Sequence, residues 1–202
     1  TFDGTDDMFD FSDANLASGQ VPRTIIIAAE YAATPSGNGV FMGYGTASGG
    51  NQFVVFVKPN NGGSVHGNSF TNSDASVFAP GDPFMYTAEY LGGGFSTNTN
   101  MYVDGSTVNT YNGNNINLST INNNGRLGSN LSAGEPFKGD IYEIIFYNSV
   151  LNKASRQIVD NYLSSKWDIP VGNDLYAGDD IGNGDFDFDV VGIGMEADGS
   201  DP

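Results

Sequence analysis

Phe137-Lys138-Gly139-Asp140-Ile141-Tyr142-Glu143-Ile144-Ile145-Phe146-Tyr147-Asn148 is dense in β-branched and aromatic residues and reads as the longest strand of a sheet. The sequence directly after it changes period. Asn152 stands as a helix N-cap, and Ala154, Ile158, Val159, Tyr162 and Leu163 form one apolar stripe before Trp167 and the stop at Ile169-Pro170. This is the one helix that stands out.

Upstream, every apolar run is short and bounded by breakers. Thr24 to Ala29, ending in Glu30-Tyr31, reads as a strand buried on both faces. Val40 to Tyr44, Gln52 to Lys58 and Phe84 to Leu91 are further strands, and Ser64 to Asn68 is a weaker one. Met101-Tyr102-Val103-Asp104-Gly105-Ser106-Thr107-Val108 is a strand, a tight Asp-Gly turn and a return strand. In the opening Thr1-Phe2-Asp3-Gly4-Thr5-Asp6-Asp7-Met8-Phe9-Asp10-Phe11, a turn at Asp-Gly leads to a strand with Phe9 and Phe11 on one face. The 28 glycines among 202 residues fit a turn-rich, all-β chain and argue against a helical bundle.

Seven basic and 24 acidic groups give a formal charge of −17, which repels phosphate backbones and anionic membranes at long range. Nucleic acid is therefore an unexpected partner, whereas divalent cations suit the carboxylate excess. With no cysteine there is no disulfide, thiolate metal site or thiol nucleophile. No apolar run approaches a membrane span, so membrane insertion is not expected, and an exported form would be a mature chain or an excised domain.

The composition shifts beyond Pro170. Residues 172–202 hold nine acidic groups and no Lys or Arg, leaving 7 basic against 15 acidic groups, or −8, for the rest. Two units are expected, 1–170 as the folded domain and 171–202 as an acidic tail. Within the tail, residues 185–191 (Asp185-Phe186-Asp187-Phe188-Asp189-Val190-Val191) alternate with period two, as a strand with one apolar side that needs a sheet to join.

Four segments in order, Phe2-Asp3-Gly4-Thr5-Asp6-Asp7, Met101-Tyr102-Val103-Asp104-Gly105, Phe137 to Asn148 and the helix Leu151 to Trp167, resemble the laminin-G-like, concanavalin-A-like domains of bacterial surface proteins. The resemblance implies a two-sheet antiparallel jelly-roll sandwich with one short helix near the C-terminal end, on a secreted or bacterial cell-surface protein. In many such domains a further strand precedes the Phe-Asp-Gly motif. Here the chain opens on that motif, so one sheet is expected to lack a strand. Asp189 to Glu196 is similar to the segment that follows this domain in large surface proteins of gliding and marine bacteria.

Asp3, Asp6 and Asp7 cluster where hard oxygen ligands for Ca²⁺ would be wanted, or act as turn formers. Asp179, Asp180 and Asp185 sit in a glycine-spaced acidic loop that suits calcium or a solvated linker equally. Glu143 and Arg156 occupy positions where similar domains carry Glu and Arg, and an ion pair tying helix to sheet is expected. Tyr44, Tyr90 and Tyr102 with Asn98 and Asn100 are candidate sugar contacts, with ordinary sheet packing as the alternative.

Covalent chemistry has little support. No run carries the Glu-x-Asp-x-x-Glu pattern of a retaining glucanase, and Asp140 and Glu143, three apart, should face opposite ways. His66, the single histidine, reads as a surface residue without a cationic neighbour nearer than Lys58. The sequence thus predicts a non-enzymatic recognition module, binding carbohydrate or a surface partner with possible calcium assistance. The alternative is a structural subunit assembled with its own copies by donating the strand of Phe186, Phe188 and Val190, against which stands a tail that folds back onto its own domain.

Overall fold

Alternating apolar residues and glycine breaks cut the chain into β1 (Phe2–Asp3), β2 (Phe9–Phe11), β3 (Arg23–Tyr31), β4 (Gly39–Gly45), β5 (Gln52–Val57), β6 (Gly63–His66), β7 (Thr71–Ser73), β8 (Phe84–Tyr90), β9 (Thr99–Val103), β10 (Ser106–Thr107), β11 (Asn124–Leu127), β12 (Lys138–Tyr147) and α1 (Lys153–Trp167). These are elements of a computed structural model, which describes residues 1–34, 36–67, 71–73, 78–95, 97–108, 117–172 and 174–175. The tail strand at 185–191, with Phe186, Phe188 and Val190, lies outside the described residues, as do Asp179, Asp180 and Asp185.

The strands form two antiparallel six-stranded sheets, β1-β12-β3-β8-β9-β10 and β2-β11-β4-β5-β6-β7. Their inner faces supply the core. Ile25, Ile27 and Ala29 of the first sheet meet Phe41, Tyr44, Phe53 and Val55 of the second, and Phe41 lies 4.9 Å from Phe137 and 5.7 Å from Phe84 between ring centroids. The jelly-roll sandwich expected from the sequence is what these residues build. β3 is buried on both sides because Ile26 and Ala28 turn outward, under the helix.

α1 closes the outer face of the first sheet. Asn152 accepts a hydrogen bond from the Ser155 N–H (2.9 Å), and Asp168 ends the helix in the left-handed region at φ 53°. Val159, Leu163 and Trp167, spaced by four, form the packed ridge, and Trp167 stacks on Tyr142 at 5.1 Å. The expected stripe was too wide. Ile158 is 71% exposed and Ala154 also faces solvent, because a helix lying flat on a sheet touches it along one narrow ridge.

β12 carries a correction to strand parity. Its pairing with β3 shifts register between Ile141 and Glu143, a β-bulge that sends both Tyr142 and Glu143 to the helix side while Ile141 and Ile144 face the core. Asp140 opposes Glu30 and Glu143 opposes Ala28, so the two acids share one face instead of opposite ones. They engage separate partners: Asp140 accepts from the Thr1 hydroxyl (2.5 Å), and Glu143 from Lys166 Nζ (2.8 Å) and the Trp167 indole (3.2 Å). On its other edge β12 pairs with β1 only at Lys138 and Gly139, so from Asp140 to Tyr147 that edge has no partner strand among the described residues.

Candidate functional site

With α1 over the first sheet, the outer face of the second is the place to look for a binding surface. The register sets Asp10, Arg126, Gly43, Val54 and His66 in one row across five strands. Gly43 leaves the middle of the row flat, since a Cβ there would meet Val54 Cγ2 at 3.1 Å. Beside it lies a pocket of about 140 Å³ floored by Val54 and Phe56 and rimmed by Gln52, His66, Asn38, Asn130 and Glu135. His66 stands edge-on to Phe56 with ring centroids 5.9 Å apart.

The rim is held by its own hydrogen bonds. The Glu135 carboxylate accepts from Asn38 Nδ2 (2.5 Å) and Asn130 Nδ2 (3.0 Å). Asn130 Oδ1 in turn accepts from the N–H groups of Ser132 (3.0 Å) and Gly134 (2.9 Å). Ala133 and Glu135 sit at φ 59° and 55°, left-handed values that cost a non-glycine residue on the order of 1 kcal/mol or more. A loop that keeps such residues is over-determined by this network. Carboxylate acceptors, amide donors and an imidazole around an apolar floor suit a small ligand bearing both C–H faces and hydroxyl groups.

Sequence reasoning missed this pocket. Gln52-Phe53-Val54-Val55-Phe56 and Ser64-Val65-His66 both alternate, but apolar residues on both phases of the first run hide which face is open. His66 is a half-buried strand residue on the pocket wall, not a lone loop residue.

The tyrosines proposed for sugar contact are elsewhere. Tyr44 and Tyr90 are buried in the core and present no surface; burial pushes the Tyr44 hydroxyl up to about 12. Asn98 folds its amide onto Gly94 O (2.9 Å) within its own loop. Tyr102 and Asn100 lie together on the first sheet and both donate to Glu89 Oε2, at 3.2 and 3.4 Å.

That Glu89 also corrects the expected ion pair. Arg156 binds Glu89 Oε1 at 3.1 Å and lies over the Tyr102 ring at 3.9 Å, whereas Glu143 binds Lys166 at 2.8 Å. The tie between helix and sheet is present with its partners exchanged. The bulge in β12 aims Glu143 at the last turn of α1, while Arg156, in the second turn, overlies β8 and β9.

Near this pair two acids are held towards neutrality. Burial raises the carboxyls of Asp104 and Asp160 to about 6 each, and Asp160 Oδ1 has no hydrogen-bond partner. A carboxyl whose folded value exceeds its unfolded one contributes stability that is complete below the unfolded value and is lost as pH rises through the folded value. Melting temperature is therefore expected to fall between about pH 4.5 and pH 7. Asp160→Asn flattens that slope; a melting temperature that climbs over this interval contradicts the assignment. Asp10, held low by hydrogen bonds from Arg126, acts in the opposite sense only in more acid solution.

Asp3, Asp6 and Asp7 are exposed, with one carboxylate oxygen of each within 4.8 Å of the others. Asp3 Oδ1 accepts from the Thr5 N–H (2.7 Å) and Asp7 Oδ2 from the Asp3 N–H (2.8 Å), the bonds of a turn former.

Neither a family model nor a curated protein sequence matches the chain. Solved structures do. The NanB sialidase from Streptococcus pneumoniae superposes with TM-score 0.60 at 18% identity, over 86% of this chain and 28% of that one. The CBM40 of the Ruminococcus gnavus IT-sialidase, solved with α2,3 sialyllactose, gives 0.53 at 14% identity over 75% of this chain and 96% of that one. The native heptameric SAP-like pentraxin from Limulus polyphemus gives 0.56 at 15% identity, over 86% and 84%. The chain spans under a third of the NanB sialidase. At these identities the likeness is one of fold: the chain is a jelly-roll β-sandwich.

Proposed function

We propose that the chain is a non-catalytic carbohydrate-binding module of a secreted or bacterial cell-surface protein, with its site on the open face of the second sheet. The observation that carries this reading is the pocket over Val54 and Phe56, rimmed by His66 and Gln52 and by Asn38, Asn130 and Glu135, the last three tied by their own hydrogen bonds. The fold shared with a sialidase CBM40 supports it, as do the sequence motifs of laminin-G-like domains. The formal charge of −17 disfavours acidic sugars at long range, so neutral glycans are the expected class.

Calorimetric titration and a glycan panel test the site. His66→Ala and Glu135→Ala should each weaken binding roughly tenfold or more, the loss of about one well-placed polar contact. No saturable binding across neutral and sialylated glycans removes the reading. Calcium held by Asp3, Asp6 and Asp7 is a separable part of the proposal. It requires that chelator lower the melting temperature or the affinity and that added calcium restore it.

A second reading, assembly with further copies through the acidic tail, is supported by the edge of β12 from Asp140 to Tyr147, which has no partner strand among the described residues.

A further inference from the structure

We infer that the pocket between α1 and the β9–β10 turn is a second ligand site, and that it takes a small hydroxylated organic cation whose primary ammonium group sits on the Asp160 carboxylate. The sugar pocket lies on the other sheet, and the inference does not rest on it.

This pocket holds about 290 Å³ and is lined by Gly105 of the turn, Ser106 of β10, Arg156, Gln157 and Asp160 of α1, and Gly172. That is close to the lower limit of roughly 300 Å³ for small-molecule sites. Asp160 is 4% exposed, and its Oδ1 has no hydrogen-bond partner. Its Oδ2 faces Gly105, 3.4 Å from the place a Cβ would occupy. Gly105 sits at φ 74°, which favours glycine, so the turn leaves the space before the carboxylate open.

Around Asp160 the charges are short of one cation. Glu89 from β8 and Asp104 from the turn act on it as like charges, and Tyr102 from β9 lies in the same field. Arg156 opposes them, but its guanidinium already binds Glu89 at 3.1 Å and stacks on the Tyr102 ring at 3.9 Å. Lys153 stands exposed on the rim, in no ion pair among the described residues. A buried carboxyl without a donor carries a desolvation cost that a ligand bringing one removes.

Other ligand classes fit this chemistry worse. A carboxylate or phosphate would add one more anion beside Glu89, Asp104 and Asp160. Calcium needs about six to eight oxygens. Here Asp104 Oδ1 already accepts from the Met85 N–H (2.8 Å), and Glu89 accepts from Tyr102 and Arg156, so Asp160 alone is left to offer. An uncharged hydroxyl group leaves the carboxylate charge unmet. An ammonium supplies three donors on one compact charge, and the Ser106 hydroxyl and Gln157 amide on the same wall suit hydroxyl groups beside it. The formal charge of −17 draws such a cation from a distance.

Calorimetric titration of the full chain with glucosamine, set against N-acetylglucosamine as its uncharged counterpart, tests this together with amide NMR spectra. At pH 7 glucosamine should bind roughly tenfold or more tighter than N-acetylglucosamine and shift the amides of Gly105, Ser106 and Asp160. Burial, with the charges of Glu89 and Asp104, raises the Asp160 carboxyl to about 6 against the opposing charge of Arg156. Glucosamine affinity should therefore fall as the pH drops through that value, while the amine itself stays charged. Asp160→Asn should weaken glucosamine binding roughly tenfold or more and remove this pH dependence. Lys153→Ala, which takes a like charge from the rim, should strengthen binding on the order of twofold. No saturable glucosamine binding, equal affinity for the two sugars, amide shifts confined to the pocket over Val54 and Phe56, or binding indifferent to Asp160→Asn would each overturn the inference.

Discussion

Arg23→Ala is expected to lower the unfolding free energy by about 4 kcal/mol and the melting temperature by roughly 10 °C, read from urea and thermal unfolding. Arg23 is 1% exposed and lies between the sheets. Its guanidinium donates to Tyr44 Oη (2.6 Å), Thr120 Oγ1 (2.8 Å), Gly19 O (2.9 Å) and Val21 O (2.8 Å). It also lies 5.4 to 5.8 Å from the ring centroids of Tyr90, Phe53 and Tyr44. The charge is thus met by dipoles and aromatic faces, an arrangement a planar fork makes well and an ammonium does not. Removal takes their buried donor from the Tyr44 and Thr120 hydroxyls, at about 1–3 kcal/mol each, and leaves a cavity among the rings. Arg23→Lys should recover less than half of the loss. A cost below about 1 kcal/mol for Arg23→Ala would show that water reaches the site and that the network is incidental.

Arg156→Ala is expected to cost about 3–5 kcal/mol, because it leaves Glu89, whose side chain is 2% exposed, buried without its cation. Glu143→Ala should cost less than about 1 kcal/mol, since Lys166 beside it is 35% exposed and rehydrates. A double-mutant cycle makes the contrast sharper. Glu89 and Arg156 should couple strongly and Glu143 and Arg156 hardly at all, the reverse of what the sequence positions alone suggest. Equal costs for the two single substitutions would refute the pairing seen here.

The contrast shows where sequence reasoning holds and where it stops. Asp104-Gly105 announces its turn because two successive positive φ values, here 48° and 74°, are tolerated by few residue pairs. The N-cap at Asn152 is legible for the same reason, as a local bond with a local residue requirement. β3 is legible because a run apolar on both phases has only one stable home, covered on both sides. Tyr44 and Tyr90 were misplaced because a tyrosine's chemistry suits a core and a sugar platform equally, and only pairing across strands settles which way it points. The rim around Glu135 is harder still. It joins Asn38, Asn130 and His66 from three parts of the chain, and no spacing in the sequence brings them together.

The bulge at Tyr142 has a consequence for how the domain can change over generations. A strand with period two tolerates insertion or deletion only in pairs, since one residue more or less exchanges core for solvent along all that follows. β12 already contains one such insertion, absorbed where Tyr142 stacks on Trp167. Losing Tyr142 would restore an unbroken alternation and still leave Ile141 and Ile144 facing the core. Tyr142 and Glu143 are the positions in the strand where a single-residue deletion leaves the core-facing phase unaltered. When relatives of this chain are aligned, the lone gap in β12 should fall there.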